Sequence, residues 1–441
     1  MKKILRLCAV FLFVSASPLH AETLTLADAC ERALNYDAKL KVAEAGNAVQ
    51  KEEVGKARAN FRPTLRISAA RGRNATESTS LITDTSKDAF YNTQNYSVVL
   101  RQPLFNMSNY AAYRQSKAIA LKSDAKLHKE HSELFVRTLE SYVNVLFSED
   151  NLDFSRTQVD AAKEQLQQAK RRFAAGYGTV TEINEAQANY DMVLAQGLEH
   201  NHNLENRRRE LETITGIYPQ TLLKLDAGRM KLVVPEPHNV QHWVDLALEE
   251  NPELDAANQE IRIARELVDK NRAVRYPTVD LVASRTFSES DNNYSIGNQY
   301  DTYSLNVQMS MPIYSGGYVS ASVRQSSAQF RQAHEQRSLT ERTISANVRQ
   351  YFNGILNSIA QIKAYEQAVT SNDIALTGTR KGFTNGFRSN VDVLNAMAKL
   401  FDSKRNLAKA RYQYIMNITM LKHVAGILTP QDIAEINSWM K

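Results

Sequence analysis

Two histidine pairs are spaced as metal ligands could be. His128 and His131 share a helical face at i, i+3, and His200 and His202 are separated by one residue. A zinc site needs further Cys, His or carboxylate ligands converging on the same point. Neither pair has a nearby Cys or a fitting carboxylate cluster, so both read as solvated helix positions. There is no Gly-rich phosphate loop, no Gly-x-Ser-x-Gly elbow and no His-Glu-x-x-His. Arg207-Arg208-Arg209 is a short basic run in a chain of net charge +6, and it reads as a helix exterior or a subunit contact, not a nucleic-acid patch. The expectation is therefore a protein that is not an enzyme and needs no metal or cofactor. What remains is a set of polar groups beside two Gly-containing turns: Thr181 and Glu182 after Gly176, then Arg388, Asp392 and Asn395 after Gly386. On residue type alone, Asp392 is a carboxylate in the first turn of a helix, where the dipole stabilises it.

The elements that carry these turns begin behind a targeting segment. Lys2, Lys3 and Arg6 precede an apolar run from Leu7 to Ser15 that ends in small residues, the layout of a secretory signal peptide placed at 1–21 and cut after Ala21, with Ala16 as the alternative site. Cys8 follows Arg6-Leu7 inside that run, a poor lipoprotein signal, so no lipid anchor is expected. Beyond Ala21 no stretch is apolar for the roughly 18 residues a membrane-spanning helix needs. The mature chain is thus periplasmic, secreted, or a β-barrel of the outer membrane. Cys30 is its only cysteine and cannot form an internal disulfide. Its charge balance is about +3, because three basic residues leave with the leader.

The strongest signal is an internal duplication. Ala33-Leu34 recurs as Ala247-Leu248, Arg58-Ala59 as Arg272-Ala273, and Pro63-Thr64 as Pro277-Thr278. Farther on, Phe173-x-x-Gly176 recurs as Phe383-x-x-Gly386, and Gly216-Ile217 as Gly426-Ile427. The first repeat is placed at 22–235, with strands at about 64–72 and 95–103 and a long helical hairpin at about 107–215. The second is placed at 236–428, with strands at about 278–287 and 300–312 and a hairpin at about 318–425; residues 429–441 form a tail. Along 64–72 Leu65, Ile67 and Ala69 alternate with Thr64, Arg66 and Ser68, a period of two. Residues 73–94 and 288–298 are rich in Ser, Thr, Asn and Asp and read as loops.

Four amphipathic strands cannot close a barrel, and open sheet edges cannot lie in lipid. Three copies supply twelve strands, which can close with lipid outside and water inside. Phe61, Phe105, Tyr276 and Tyr314 stand at the helix–strand junctions, where an interfacial girdle belongs. From Ser108 to Ala175 there is no Pro or Gly. A helix of that length is roughly 100 Å long, typical of coiled coils and not of globular cores. The return helices carry heptads, Ile183, Tyr190, Gly197, Leu204 and Leu211 in the first and Val393, Leu400, Leu407, Tyr414 and Leu421 in the second, a coiled-coil seam. The fold class is therefore mainly α with a β-barrel part, a tandem-duplicated protomer whose strands three copies would close into a trimeric 12-stranded barrel, with long coiled-coil hairpins attached.

This pattern resembles the TolC family of outer-membrane efflux and secretion ducts. The resemblance spans essentially the mature chain and rests on Arg172-Phe173-Ala174-Ala175-Gly176 with Thr181-Glu182-Ile183, on Gly382-Phe383-Thr384-Asn385-Gly386-Phe387-Arg388 with Val391-Asp392-Val393-Leu394-Asn395-Ala396, and on Ala408 to Tyr414. It implies a homotrimeric, passive exit duct in the outer membrane, its hairpins forming a long periplasmic α-helical barrel. A periplasmic adaptor and an inner-membrane ABC or proton-driven pump would open it for type I protein secretion or multidrug efflux, with no nucleic acid involved. The resemblance also implies an acidic aperture ring at Asp392, with Asn395 where a second Asp is common. It implies closed-state links among Arg388, Thr181 and Glu182, and a missing link at Phe383, which lacks the hydroxyl of the usual Tyr. The tips Ala175-Gly176-Tyr177 and Asn385-Gly386-Phe387 match the adaptor-docking turns. The rival reading is a periplasmic coiled-coil adaptor without a membrane barrel, which would not require strands and helices to be duplicated together.

Overall fold

A computed structural model describes residues 23–292 and 296–441; the expected signal peptide lies outside them. The first repeat runs α1 (Leu26–Tyr36), α2 (Ala38–Ala59), β1 (Thr64–Ser80), β2 (Thr85–Phe105), α3 (Met107–Ala174) and α4 (Val180–Thr215). The second runs α5 (Val240–Glu250), α6 (Pro252–Ala273), β3 (Thr278–Asn292), β4 (Ile296–Ser310), α7 (Tyr318–Thr384) and α8 (Asn390–Val424), and α9 (Pro430–Ser438) closes the chain. With 68 and 67 residues, α3 and α7 are each about 100 Å long. Helix α3 packs against α4 over one stretch and α2 over another; α7 does the same with α8 and α6, and α3·α6 and α3·α8 contacts join the repeats.

The short helices meet the return helices at duplicated corners. Asp37 caps α2 by accepting from the Leu40 amide at 2.7 Å, and Arg137 pairs with it at 3.1 Å. Its counterpart Asn251 caps α6 and donates its side-chain amide to the Val424 carbonyl at 2.7 Å, satisfying a carbonyl that the end of α8 leaves without a helical partner. Both residues are buried, so an uncapped polar group here would be costly. The linker between repeats is pinned by two tyrosines. The Tyr142 hydroxyl lies 3.0 Å from the Leu24 carbonyl and 3.2 Å from that of Leu223. The Tyr414 hydroxyl accepts from the Val233 amide at 2.7 Å and reaches the Lys231 carbonyl at 2.9 Å. All five positions of the second heptad seam are buried, as are Leu204 and Leu211 of the first. Each arginine of the Arg207-Arg208-Arg209 run faces a glutamate of its own chain, Glu210, Glu149 and Glu212 respectively.

The four strands form one antiparallel sheet in the order β1-β2-β3-β4. Its strands are longer than the alternation alone marks. Residues 73–80 and 85–94, expected as loop, continue β1 and β2 in unbroken register from Thr64↔Arg101 to Ser80↔Thr85. Residues 288–292 likewise belong to β3, and β4 begins at Ile296 and ends at Ser310, not 312. The polar stretches lack hydrophobic alternation because both faces carry polar residues there, Arg73 and Glu77 on one and Asn74, Thr76 and Ser78 on the other. Pairing is carried by Thr, Ser and Tyr, which suit a pleated surface, and by side-chain bonds such as Thr76 to Tyr91 at 3.2 Å. One face carries Leu65, Ile67, Val98, Leu100, Leu281, Ala283, Leu305, Val307 and Met309, placed together by the register, and Leu65, Ile67, Leu305, Val307 and Met309 each keep at least 65% of their surface exposed. The opposite face pairs Ser68 with Ser97 and Ser284 with Ser304, each at 2.7 Å, and joins the repeats through Arg101 and Asp280.

Gly216 and Gly426 both sit at positive φ (+76° and +79°), but their surroundings differ from those of the turn glycine Gly386. A Cβ on Gly426 would lie 2.4 Å from the Glu250 carbonyl oxygen, whereas at Gly386 nothing lies within 4 Å. Gly386→Ala should cost only the left-handed backbone term, about 1–2 kcal/mol. Gly426→Ala adds a backbone clash and should lower the thermal midpoint further, read by far-ultraviolet circular dichroism. Equal midpoints for the two variants would refute the close approach of α8 to the α5–α6 corner.

Candidate functional site

The two helical hairpins end in matching turns. Ala174 is the last residue of α3, and Gly176 takes φ +79°. The Gly176 amide donates to Phe173 at 3.0 Å and the Tyr177 amide to Arg172 at 3.0 Å. In the second hairpin Gly386 takes φ +81°, donates to Phe383 at 3.1 Å, and the Phe387 amide donates to Gly382 at 2.8 Å. This is the Schellman motif twice over, with glycine where a Cβ would be strained. The flanking residues Tyr177 and Phe387 are 80% and 84% exposed. Each tip therefore shows an unshielded aromatic ring beside Ala175 or Asn385.

The returning helices are capped by hydroxyls that composition alone does not single out. Thr179 accepts from the Glu182 amide at 3.2 Å. Ser389 forms a full capping box with Asp392: the Asp392 amide donates to the Ser389 hydroxyl at 3.2 Å, and Asp392 Oδ2 accepts from the Ser389 amide and hydroxyl, both at 2.9 Å. These bonds, the Ser389 amide first, hold the Asp392 carboxyl below its ordinary pKa, and the Arg388 charge adds to the effect. Its charge thus persists at neutral pH and is lost only as pH falls through that lowered value. Asn395 is exposed one turn further along the same face of α8.

Arg388 forms no ion pair within the protomer among the described residues; its side-chain stem lies over Gly382, where a Cβ would come within 2.8 Å of it. Thr181 is exposed, while Glu182 Oε2 is buried without a hydrogen-bond partner among the described residues and packs against Gly178. The protomer therefore does not itself bring Arg388 to Thr181 or Glu182.

Phe383 departs most from expectation. It is 4% exposed and packs with Leu376, Val393, Met397 and Leu400. The Arg172 guanidinium lies 4.5 Å from its ring centroid, and Arg172 Nη1 donates to the Phe383 carbonyl at 3.2 Å. Without a hydroxyl, position 383 still ties α3 to α7, through its ring face and its backbone. Gln165 adds a second tie by donating to the buried Asn390 at the start of α8. Sequence reasoning missed both partners. Arg172 stands in the first turn motif, but nothing in its local spacing points across 211 residues to Phe383.

Comparison with known proteins gives one consistent outcome. The family described as outer membrane efflux protein matches residues 29–217 and 243–426. The proteases secretion protein PrtF of Dickeya chrysanthemi is 31% identical, covering 97% of this chain and 94% of that protein. The alkaline protease secretion protein AprF of Pseudomonas aeruginosa is 33% identical, covering 94% and 86%. The outer membrane protein TolC of Escherichia coli is 31% identical, covering 79% and 72%. Among solved structures, the outer membrane protein VceC of Vibrio cholerae superposes with a TM-score of 0.75 at 20% identity over 91% of this chain and 96% of that one. CusC gives 0.78 at 16% identity over 92% of each chain. At those identities the likeness concerns the fold.

A cation–π contact shielded from water is worth about 1–2 kcal/mol. The double-mutant cycle Arg172→Ala with Phe383→Leu should therefore return a coupling of about 1 kcal/mol in thermal unfolding. Arg172→Ala alone should also speed amide exchange across 381–389. A coupling of zero would mean that the two residues are neighbours without being linked.

Proposed function

The chain belongs to the outer membrane efflux protein family and is an outer-membrane channel with a helical periplasmic extension, and from that premise we propose that it is the homotrimeric exit duct of a type I system secreting protein, proteases in particular. One observation carries the assembly. Among the described residues the outer edges of β1 and β4 have no strand partner, and the sheet's apolar face is exposed. Three copies close twelve strands and bury every edge. A soluble adaptor needs no such face. The protein cargo is supported by the printed functions of PrtF and AprF, each matched over most of its length.

In this trimer the hairpin tips form the inner, closed end. Three Asp392 carboxylates around the axis make a cation-selective ring, with Asn395 contributing polarity but no charge. Arg388, unpaired within its own protomer, bonds Thr181 and Glu182 of the neighbour, a charge-assisted contact that also satisfies the orphaned Glu182 Oε2. The tips at Ala175-Gly176-Tyr177 and Asn385-Gly386-Phe387 dock a periplasmic adaptor, and an inner-membrane ABC pump supplies the energy.

Four measurements test this reading. Outer membranes should yield an SDS-resistant trimer, and deletion of the gene should retain the cognate protease in the cell; recovery as a soluble periplasmic protein would refute the proposal. In planar bilayers Arg388→Ser should raise single-channel conductance severalfold. Asp392→Ala should reduce both cation selectivity and block by divalent ions; if selectivity is unchanged, Asp392 is a helix cap and nothing more.

A further inference from the structure

The apolar face of the sheet carries three arginines, and they are treated differently. Arg285 on β3 is neutralised: its Nε and Nη2 donate to the Asp301 carboxylate at 3.1 and 2.9 Å, and its guanidinium lies 4.9 Å from the Tyr303 ring centroid. Arg71 and Arg73 on β1 fall on the same face, two and four residues beyond Ala69. Both are exposed, and neither forms an ion pair or hydrogen bond among the described residues. Among the described side chains, the carboxylate nearest in register to Arg71 on this face is Glu289, which pairs with Gln94, itself the partner of Arg71. It is therefore two strands away from Arg71, about 10 Å.

Height along the barrel gives these charges a meaning. Ala69 pairs with Tyr96, and Tyr96 pairs with Phe287, the two rings lying 6.0 Å apart. With Tyr303 they form an upper aromatic band opposite the junction aromatics Phe61, Phe105, Tyr276 and Tyr314. Aromatic bands mark the boundary between hydrocarbon and headgroups. A strand tilted by about 40° climbs about 2.5 Å per residue, which places Arg71 and Arg73 about 5 and 10 Å above that boundary, at headgroup depth. Below them the same face has a shallow open dip of about 440 Å³. The small side chain of Ala283 leaves it, among Val98, Leu100 and Leu305. A hydrocarbon chain fits such a surface.

We propose that Arg71 and Arg73 bind the phosphorylated headgroup of an outer-leaflet glycolipid, three pairs per trimer, while the acyl chains lie on the face beneath. The inference rests on the membrane placement given above. Guanidinium binds phosphate oxygens in a planar fork and keeps its charge at any ambient pH. Asp301, the carboxylate of this face on the edge strand β4, is already engaged by Arg285.

The test uses detergent-purified full-length trimer incubated with lipopolysaccharide, with bound glycolipid measured by phosphate analysis after size exclusion. The Arg71→Ala/Arg73→Ala double variant should bind about tenfold or more weakly, and Arg71→Lys/Arg73→Lys should recover most of the loss. Dephosphorylated lipopolysaccharide should bind the unaltered protein about as weakly as the intact glycolipid binds the alanine variant. Unchanged binding by an alanine variant that is still an SDS-resistant trimer would overturn the proposal. Displacement of the glycolipid by an equimolar amount of inorganic phosphate would assign the arginines to free anions and also overturn it. A drop in trimer dissociation temperature with unchanged glycolipid would assign them to the subunit contact. Absence of a trimer in the unaltered protein would instead count against the assembly itself.

Discussion

Everything in this protomer depends on a sheet that cannot stand alone. Among the described residues four strands leave two rows of unpaired amides and carbonyls at β1 and β4, and in hydrocarbon each unpaired group costs several kcal/mol. Closure by symmetry removes that cost at every edge. It also fixes the direction of the helices, because α3 begins two residues after β2 ends and α7 eight residues after β4 ends. Long helices leaving a closed ring in parallel must form a second ring. The coiled-coil seam is already buried within each protomer, so closure arranges finished hairpins and does not create their seams.

The duplication supplies the frame, and its imperfections supply the specificity. Asp37 and Asn251 occupy equivalent corners, yet one pairs with Arg137 and the other caps α8 through a carbonyl. Phe173 and Phe383 occupy equivalent turn positions, yet the first is 45% exposed and the second 4%. Ser389 and Asp392 form a reciprocal box, while Thr179 caps Glu182 in one direction only and leaves a buried carboxylate oxygen unpartnered. Divergence of this kind makes the two hairpins non-equivalent within a protomer, so a ring built from them alternates between two kinds of contact.

How much of this was legible in the sequence follows from the range of each interaction. Helices, turns and heptads are set by contacts within about seven residues, and they stand out because the chain states each of them twice. The apolar halves of the strands were legible for the same reason: Leu65, Ile67 and Ala69 alternate against one wet face. The outer halves were not, because polar residues stand on both faces there, Asn74, Thr76 and Ser78 on one and Arg73, Glu77 and Thr79 on the other, and the period of two disappears. The links of Arg172 to Phe383 and of Gln165 to Asn390 were hidden by a different cause. They join residues 211 and 225 positions apart, and only the packing of α3 against the second hairpin decides which side chains meet.

Loss of the hydroxyl at position 383 argues, on its own, for a looser closed end. The packing around Phe383 argues the other way. Its ring fills a cluster with Leu376, Val393, Met397 and Leu400 and accepts the Arg172 guanidinium, and a tyrosine hydroxyl at the ring edge would have to leave this apolar contact or find a partner within it. A neutral hydrogen bond contributes about 1 kcal/mol net, and a shielded cation–π contact contributes about as much. The exchange is close to even for one protomer. In the proposed trimer three such links act together, and about 3 kcal/mol corresponds to more than a hundredfold bias between closed and open states. Because Arg172 and Phe383 belong to different hairpins of one chain, that bias would resist any opening motion that separates α3 from α7. It would leave contacts between protomers, including those of Arg388, to be governed separately.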